Sequence, residues 1–266
     1  MNTWTKTSAE YAQQRNYLDE LYKVYPITPN LRREITKETE NKIRQAYNNK
    51  DNEKLVRQLL KLELFPIKDS YVAYLKKDKE AINRNPQTIN RIAGNLFQMG
   101  IEEIIEKCTA PKETNRQMGP MFKQWIDKGT LGAPIIRTGE EFLNFKGNCI
   151  FNASDAEMEK FAKKYLGFNR EKGIDFIAKF NNKYIIAETK FITDFGGHQN
   201  AQFDDAVRTM QNSFENKIVD NEIIPIAIMD GVLYIKGNNK MYRYLQEHPQ
   251  QIILSSLVLR EFLYSI

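Results

Sequence analysis

Residues 172–205 decide the fold of this chain, and they read K-G-I-D-F-I-A-K-F-N-N-K-Y-I-I-A-E-T-K-F-I-T-D-F-G-G-H-Q-N-A-Q-F-D-D. Two runs rich in β-branched and aromatic residues, 174–180 and 183–191, flank the polar pair Asn181-Asn182. Near-alternation of apolar and polar residues on either side of an Asn pair is typical of two strands joined by a tight turn. The stretch therefore predicts a β-hairpin.

The hairpin brings charged residues together at one of its ends. Asp175 lies at the start of the first strand, and Glu188 and Lys190 lie near the end of the second. In an antiparallel pair the start of one strand lies beside the end of the other. Glu188 and Lys190 are two residues apart, so their side chains leave the same face of the sheet. We expect two carboxylates and an ammonium group to converge there.

Convergent carboxylates suit a hard divalent cation such as magnesium, which prefers oxygen ligands. Such an ion can polarise a phosphodiester and lower the pKa of water. A neighbouring lysine can orient or deprotonate the attacking water, or stabilise the negative charge that develops. The same short pattern also arises by chance on solvated strand edges, so its context has to decide.

These residues resemble the signature of the PD-(D/E)xK nuclease superfamily, an acidic residue on one strand and (D/E)-x-K on the next. Asp175 is followed by twelve residues and then by Glu188-Thr189-Lys190, while Ile174 stands where the signature has proline. The resemblance covers residues 152–231. With its Gly-Gly-His-Gln-Asn segment, the stretch looks most like a type II restriction endonuclease.

The resemblance implies site-specific cleavage of double-stranded DNA by a homodimer that uses magnesium. It also implies that Asp175 and Glu188 bind the metal together with the Thr189 carbonyl, and that Lys190 acts on the attacking water. Two alternatives stay open. One is a repair or recombination nuclease of the same superfamily, and the other is a non-enzymatic DNA-binding or structural protein.

Glu157 is a further candidate catalytic carboxylate. Some superfamily members carry an acidic residue on the helix before the aspartate strand, and Glu157 lies in such a predicted helix. Ser154 and Glu157 also have the spacing of a capping box, which accounts for Glu157 by itself. Both interpretations stay open.

Polar side chains that bind phosphates or base edges occur in two segments. The segment 193–200 is predicted to be a loop at the mouth of the site, and 112–117 a loop before an amphipathic helix. An ordinary polar turn remains an alternative for each. The DNA-binding candidates are His198, Gln199, Asn200, Gln202, Asn115, Arg116 and Gln117.

The rest of the chain predicts an α/β protein with a mixed central sheet flanked by helices, a restriction-endonuclease-like core, and a mostly helical N-terminal part. Asn85-Pro86 opens a helix whose apolar stripe runs to Cys108. Short strands are expected at 134–137 and 148–151. An apolar strand at 223–229 is predicted to turn at Asp230-Gly231 and return over 232–235. The predicted ranges are 1–84 for the helical region and 85–266 for the catalytic core, and one continuous domain is the alternative.

Composition is ordinary for a globular chain, with 41% hydrophobic and 27% charged residues and a formal net charge of +5. There is no apolar run of transmembrane length and no secretory signal, so we expect no membrane association and a cytoplasmic location. Cys108 and Cys149 are too few for a disulfide framework. Two histidines leave few candidates for histidine-based catalysis, and no phosphate-binding G-x-x-x-x-G-K-[ST] loop is present.

Overall fold

The computed structural model describes residues 1–26, 32–111 and 114–266, without the side chains of 114–116. Contacts divide the chain into two compact units. The sheet unit comprises Met1–Ile27 and Thr114–Ile266, and the helical unit comprises Thr28–Glu113. This division differs from the ranges 1–84 and 85–266, because the first helices pack with the sheet and the helices after residue 85 pack with the helical unit.

A six-stranded mixed sheet forms the centre of the sheet unit, with strand order β1-β2-β3-β4-β5-β6. Its strands are β1 (Ile135–Ile136), β2 (Cys149–Phe151), β3 (Phe176–Phe180), β4 (Lys183–Ile192), β5 (Ile223–Gly231) and β6 (Ile252–Leu254). The pairs β2–β3 and β3–β4 are antiparallel, and the other three pairs are parallel. The predicted α/β class with a mixed central sheet is confirmed.

Helices account for most of the remaining described residues. They are α1 (Thr3–Tyr11), α2 (Tyr17–Val24), α3 (Lys37–Asn48), α4 (Asn52–Leu60), α5 (Ser70–Lys77), α6 (Ala81–Arg84), α7 (Pro86–Met99), α8 (Ile101–Cys108), α9 (Thr114–Asp127), α10 (Gly139–Asn144), α11 (Asp155–Leu166), α12 (Gly197–Met210), α13 (Lys240–Glu247) and α14 (Leu259–Ser265). Of these, α3 to α8 belong to the helical unit.

The hairpin of β3 and β4 forms as the sequence predicts. Asn181 and Asn182 have φ angles of 46° and 66°. Positive φ at both central residues is what a two-residue type I′ hairpin turn requires, and Asn tolerates it better than most side chains. Phe176 pairs with Ala187. Continuing this register by one residue brings Asp175 opposite Glu188.

Both faces of the hairpin are buried, because its residues alternate between two hydrophobic clusters. One cluster contains Phe176, Ala178, Phe180, Ile185 and Ala187. The other contains Ile177, Tyr184 and Ile186. Glu188 and Lys190 continue the face of Ile186 by the two-residue period of a strand. Burial on both faces fixes the register, since a slip by one residue would exchange the two faces.

The strand after α12 corrects a sequence-based expectation. Asp230-Gly231 does not turn into a second hairpin, because Asp230 is fully buried at the end of β5. Its carboxylate accepts hydrogen bonds from the hydroxyl groups of Tyr25, at 2.9 Å, and Ser255, at 2.5 Å. Residues 232–234 form a 3-10 helix. The Asp-Gly pair thus anchors the strand end to β6 and to the N-terminal segment.

Two predicted loops are helical in part, while 193–196 remain a loop and 112–113 lie outside the described residues. Residues 115–117 lie inside α9, and 198–200 lie in the first turn of α12, whose N-cap residue is Gly196. In the helical unit, the helix expected to run to Cys108 is broken at Gly100, where φ is 89°. A positive φ interrupts helical hydrogen bonding and is accommodated by glycine. Two helices, α7 and α8, therefore replace one.

Candidate active site

Asp175 lies immediately before β3, and its carboxylate is bound to the neighbouring strand. Its Oδ2 accepts hydrogen bonds from the Thr189 backbone N–H, at 2.8 Å, and from the Thr189 hydroxyl, at 3.2 Å. Burial raises the pKa of Asp175, and Lys190 and the hydrogen bonds from Thr189 oppose the rise only in part. Desolvation disfavours the ionised form, and the nearby cation and hydrogen-bond donors offset this effect of burial only in part.

Glu188 is the most deeply buried charged group of the site, with 1% of its side chain exposed. Its Oε1 contacts the ammonium groups of both Lys172 and Lys190. Its Oε2 accepts a hydrogen bond of 2.8 Å from the Thr209 hydroxyl. The carboxylate is therefore held on both oxygens, as a buried charge requires.

Lys190 faces the same carboxylates, with 22% of its side chain exposed. Burial lowers the pKa of Lys190, but Glu188 and Asp175 outweigh burial and raise the pKa above the ordinary value. Lys190 is therefore an ammonium group at neutral pH in the metal-free protein. An ammonium group at this position can supply positive charge and hydrogen-bond donors to a ligand in the pocket.

Asp205 of α12 adds a third carboxylate. Its Oδ1 accepts a bond of 2.8 Å from Arg170 Nη2, and its Oδ2 contacts Lys172. Burial raises the pKa of Asp205, but Lys172 and Arg170 outweigh burial and lower the pKa below the ordinary value. Three acidic side chains thus face three basic ones, which balances their formal charge.

Asp175, Lys190 and Asp205 of this cluster border a pocket of about 300 Å³. Its walls are Met118, Gly119, Pro120, Asp175, Thr189, Lys190, Phe191, Gln202 and Asp205. Met118 to Pro120 belong to α9, in which Pro120 lies inside the helix. The pocket gives a ligand access to Asp175 and Lys190.

A metal ion at this site would be held by oxygen atoms. In the described part of the chain, no group of three or more His, Cys, Asp or Glu side chains has the arrangement of a metal cage. Asp175 and Glu188 nevertheless provide two carboxylates beside the Thr189 backbone. Magnesium is commonly bound through one or two carboxylates, with waters and substrate phosphates completing its shell. The residues present fit such an ion.

The family model of the Tsp45I type II restriction enzymes matches residues 2–266, nearly the whole chain. The chain belongs to the Tsp45I type II restriction enzyme family. It is a site-specific endonuclease that hydrolyses phosphodiester bonds of double-stranded DNA. This finding decides against a repair nuclease and against a non-enzymatic DNA-binding protein. Comparisons with curated proteins and with solved structures each find no match.

Within this Tsp45I-family enzyme, the structure brings Asp175, Glu188, Thr189 and Lys190 together. Glu157 lies elsewhere. It is exposed and forms the capping box of α11, bonded to the backbone N–H and hydroxyl of Ser154. That hydrogen bond to the Ser154 hydroxyl lowers its pKa. Glu157 lines a different pocket, so its position corresponds to the capping interpretation.

The DNA-binding candidates of α12 differ in exposure. His198 is exposed and lies 3.1 Å from Gln202, a residue of the pocket wall. Gln199 is buried, with 3% exposure, and accepts a hydrogen bond of 3.2 Å from the Thr193 backbone. Asn200 donates to the Phe195 carbonyl at 2.9 Å. Gln199 and Asn200 thus stabilise the start of the helix, whereas His198 is exposed and Gln202 is half-buried at the pocket wall.

The candidates of α9 lie in its first turns. Gln117 is buried, with 8% exposure, and so presents little surface to DNA. The side chains of Asn115 and Arg116 lie outside the described residues.

Sequence reasoning missed the outer part of the charged cluster, namely Arg170, Lys172, Asp205 and Thr209. Lys172 lies only three residues before Asp175, so its proximity was the one available signal. Asp205 and Thr209 are one helical turn apart on α12 and carry no motif of their own.

None of the described helices of this Tsp45I-family enzyme has both the length and the apolar character needed to cross a membrane.

Proposed function

We propose that this restriction endonuclease cleaves DNA with magnesium held by Asp175, Glu188 and the Thr189 carbonyl, and with Lys190 beside the attacking water. One observation carries the proposal. The register of the hairpin, extended by one residue, brings Asp175 opposite Glu188, and Asp175 and Lys190 line a pocket. Two carboxylates that can hold a divalent cation, with an ammonium group beside them, support this chemistry.

The charge of the cluster supports this role. Three carboxylates and three cationic side chains balance, so a bound divalent cation leaves the site with a formal charge of about +2. A positive site attracts the phosphodiester backbone. When bound, the ion would polarise the scissile phosphodiester and promote deprotonation of the attacking water.

The chain's own residues do the positioning. The Thr189 N–H and hydroxyl fix one oxygen of Asp175, which leaves the other free to bind a cation. The Thr209 hydroxyl fixes one oxygen of Glu188. Lys190, with its raised pKa, donates hydrogen bonds as an ammonium group, orienting the water and stabilising negative charge on the phosphoryl oxygens.

We infer that His198 and Gln202 contact DNA beside the site, since His198 is exposed on α12 and lies within hydrogen-bond distance of Gln202, which lines the pocket. Neutral polar side chains at such positions bind phosphate oxygens more often than base edges. Replacement of Gln202 by alanine should then weaken binding similarly on all sequences. A loss of about 1–3 kcal/mol at a single base pair would instead assign base recognition to Gln202.

The charge distribution favours a DNA-binding role for the helical unit. Residues 28–113 contain 17 Lys and Arg against 13 Asp and Glu, a net charge of +4 out of +5. A pocket of about 430 Å³ in this unit is bordered by Lys54, Arg57, Lys61, Lys76 and Lys79. Cations that neutralise phosphates release counterions, which makes affinity salt-dependent.

Binding measured across a salt series tests this role. Lys61→Gln and Lys79→Gln should each reduce the slope of log affinity against log salt by about 1. Lys6→Gln is the control, because Lys6 is exposed on α1 of the sheet unit and pairs with Glu10. Equal slopes for all three variants and the wild type would contradict a phosphate contact by this pocket.

We also propose a homodimer located in the cytoplasm. The sequence contains one set of Asp175, Glu188 and Lys190, so cutting both strands at the same time requires two chains. Cys108 and Cys149 are free and buried, in keeping with a reducing compartment. Sedimentation of the protein with a short DNA duplex should give two chains per duplex. One chain per duplex would refute the dimer.

Plasmid cleavage tests the proposed chemistry. The wild type should produce discrete fragments with magnesium and none with EDTA. Glu188→Gln should be inactive, because it removes the buried charge that holds the ion. Full cleavage in EDTA would refute the requirement for a metal, and near-normal cleavage by Glu188→Gln would refute the assignment of Glu188.

A further inference from the structure

Lys172 is a second lysine in the site and lies outside the motif. It precedes Asp175 by three residues, and 24% of its side chain is exposed. Its ammonium group contacts Glu188 Oε1 and Asp205 Oδ2 at the same time. One cation therefore joins a carboxylate of β4 to a carboxylate of α12.

Both carboxylate oxygens of Glu188 have partners in this arrangement. Oε2 binds the Thr209 hydroxyl, and Oε1 contacts both lysines. A divalent cation that binds Glu188 must therefore take the place of an ammonium group at Oε1. Lys190 is also attracted by Asp175 on the metal-binding side, whereas Lys172 has Asp205 as a second partner.

Arg170 fixes the position of Asp205 through hydrogen bonds. Arg170 Nη2 binds its Oδ1 at 2.8 Å, and Arg170 Nη1 binds the Asp205 backbone carbonyl at 3.2 Å. Arg170 Nη1 also donates to the Thr209 hydroxyl at 2.5 Å, the hydroxyl that binds Glu188. The two carboxylates thus share a rigid support, and Asp205 Oδ2 is left facing Lys172.

We propose that Lys172 is the resident cation of the metal-free site and that Asp205 retains it when a divalent cation takes over Glu188. The proposal rests on the proposed magnesium site at Asp175 and Glu188. Lys172 is a positioning residue, because it acts on the binding of the ion through Glu188. The ammonium group and the ion compete for one carboxylate oxygen, and Asp205 biases that competition towards the ion.

Opposite effects on metal affinity follow for the two residues. Removing the Lys172 charge removes the competitor, so magnesium should bind about tenfold more tightly, within the range typical of coupled binding events. Asp205→Asn removes the alternative partner, so Lys172 should hold Glu188 more firmly and magnesium should bind more weakly. In the Lys172→Met background, Asp205→Asn should have little effect, because no ammonium remains to be retained.

Magnesium affinity of the DNA-free protein is the measurement, obtained by calorimetric titration and by the rise in Tm over a magnesium chloride series above an EDTA baseline. The variants are Lys172→Met, Asp205→Asn and the double mutant, with Lys172→Gln available if Lys172→Met does not fold. Lys172→Arg keeps the charge and should restore competition. Lys240→Met is the matched control, because Lys240 pairs with the adjacent Asp204 at 2.6 Å and should leave the affinity unchanged.

Asp175→Ala separates the two proposals. If it retains the wild-type response to magnesium, the proposed metal site is wrong and the role of Lys172 falls with it. If Asp175→Ala loses the response while Lys172→Met and Lys172→Gln bind magnesium no more tightly than the wild type, the metal site stands and the role of Lys172 is refuted. If Asp205→Asn weakens magnesium binding equally with and without Lys172, the effect comes only from the lost negative charge. That result would also refute the role of Lys172.

Discussion

Replacing Asp175 by Asn separates the catalytic role of this carboxylate from its structural role. The Thr189 N–H and hydroxyl both donate to one carboxylate oxygen, at 2.8 and 3.2 Å. Asn has nearly the same shape and can present its carbonyl oxygen to the same two donors, but it carries no charge. Alanine removes the acceptor as well as the charge.

The two variants should therefore differ in stability and agree in activity. Asp175→Ala leaves the Thr189 N–H, on a residue that is 9% exposed, without its acceptor, which costs about 1–3 kcal/mol. Asp175→Asn keeps the acceptor and removes a charge that burial disfavours, so its free energy of unfolding should equal or exceed that of the wild type. Loss of about 4 kcal/mol of transition-state stabilisation slows cleavage about a thousandfold in both variants.

Denaturant unfolding and single-turnover cleavage of a plasmid in magnesium measure the two quantities. The expected result is a stable, inactive Asn variant and a less stable, inactive Ala variant. Cleavage by Asp175→Asn within tenfold of the wild type would refute the catalytic role of the charge. Equal destabilisation of both variants would refute the account of the Thr189 hydrogen bonds.

Further predictions concern four other features. Lys190→Met should lose cleavage but keep the magnesium-dependent rise in Tm; loss of both would make Lys190 part of the metal site. Calcium should support site-specific binding in a gel shift without product, because its longer bonds suit this chemistry less well than magnesium; rapid cleavage in calcium would contradict the mechanism. Gln199→Ala should lower the free energy of unfolding by about 1–2 kcal/mol, as Thr193 loses its acceptor, whereas Gln202→Ala should change only DNA binding; the reverse pattern would exchange their roles. Burial raises the pKa of Asp230 above the ordinary 3.8. The free energy of unfolding of the wild type should therefore fall relative to that of Asp230→Asn as the pH rises from 3.8 through the raised pKa. The same pH dependence in both proteins would contradict this prediction.

The central hairpin could be predicted because its signals are local. Strand propensity, alternation and the Asn181-Asn182 pair all lie within residues 174–191, and the register follows from the turn. Once the register is fixed, the meeting of Asp175 with Glu188 is a geometric consequence. The sequence therefore predicts the part of the site that these two strands contribute.

The rest of the site depends on contacts between distant segments. Asp205 is linked to Glu188 through Lys172, and the Thr209 hydroxyl donates to Glu188 directly. Both contacts exist because α12 packs against β4. No spacing in the sequence specifies that packing. The burial of Asp230 is unpredictable from sequence for the same reason. An Asp-Gly pair signals a turn locally, but here the carboxylate is buried against Tyr25 and Ser255, which lie 205 and 25 residues away along the chain.

Sequencing the ends of plasmid fragments produced with magnesium tests the central claim most directly, with wild type and Asp175→Asn compared at equal concentration. If Asp175, Glu188 and Lys190 form the active site of a site-specific endonuclease, every wild-type end should fall at a fixed position in one short sequence, and Asp175→Asn should leave the plasmid intact. Ragged ends from the wild type, or the same fragments from Asp175→Asn, would contradict it.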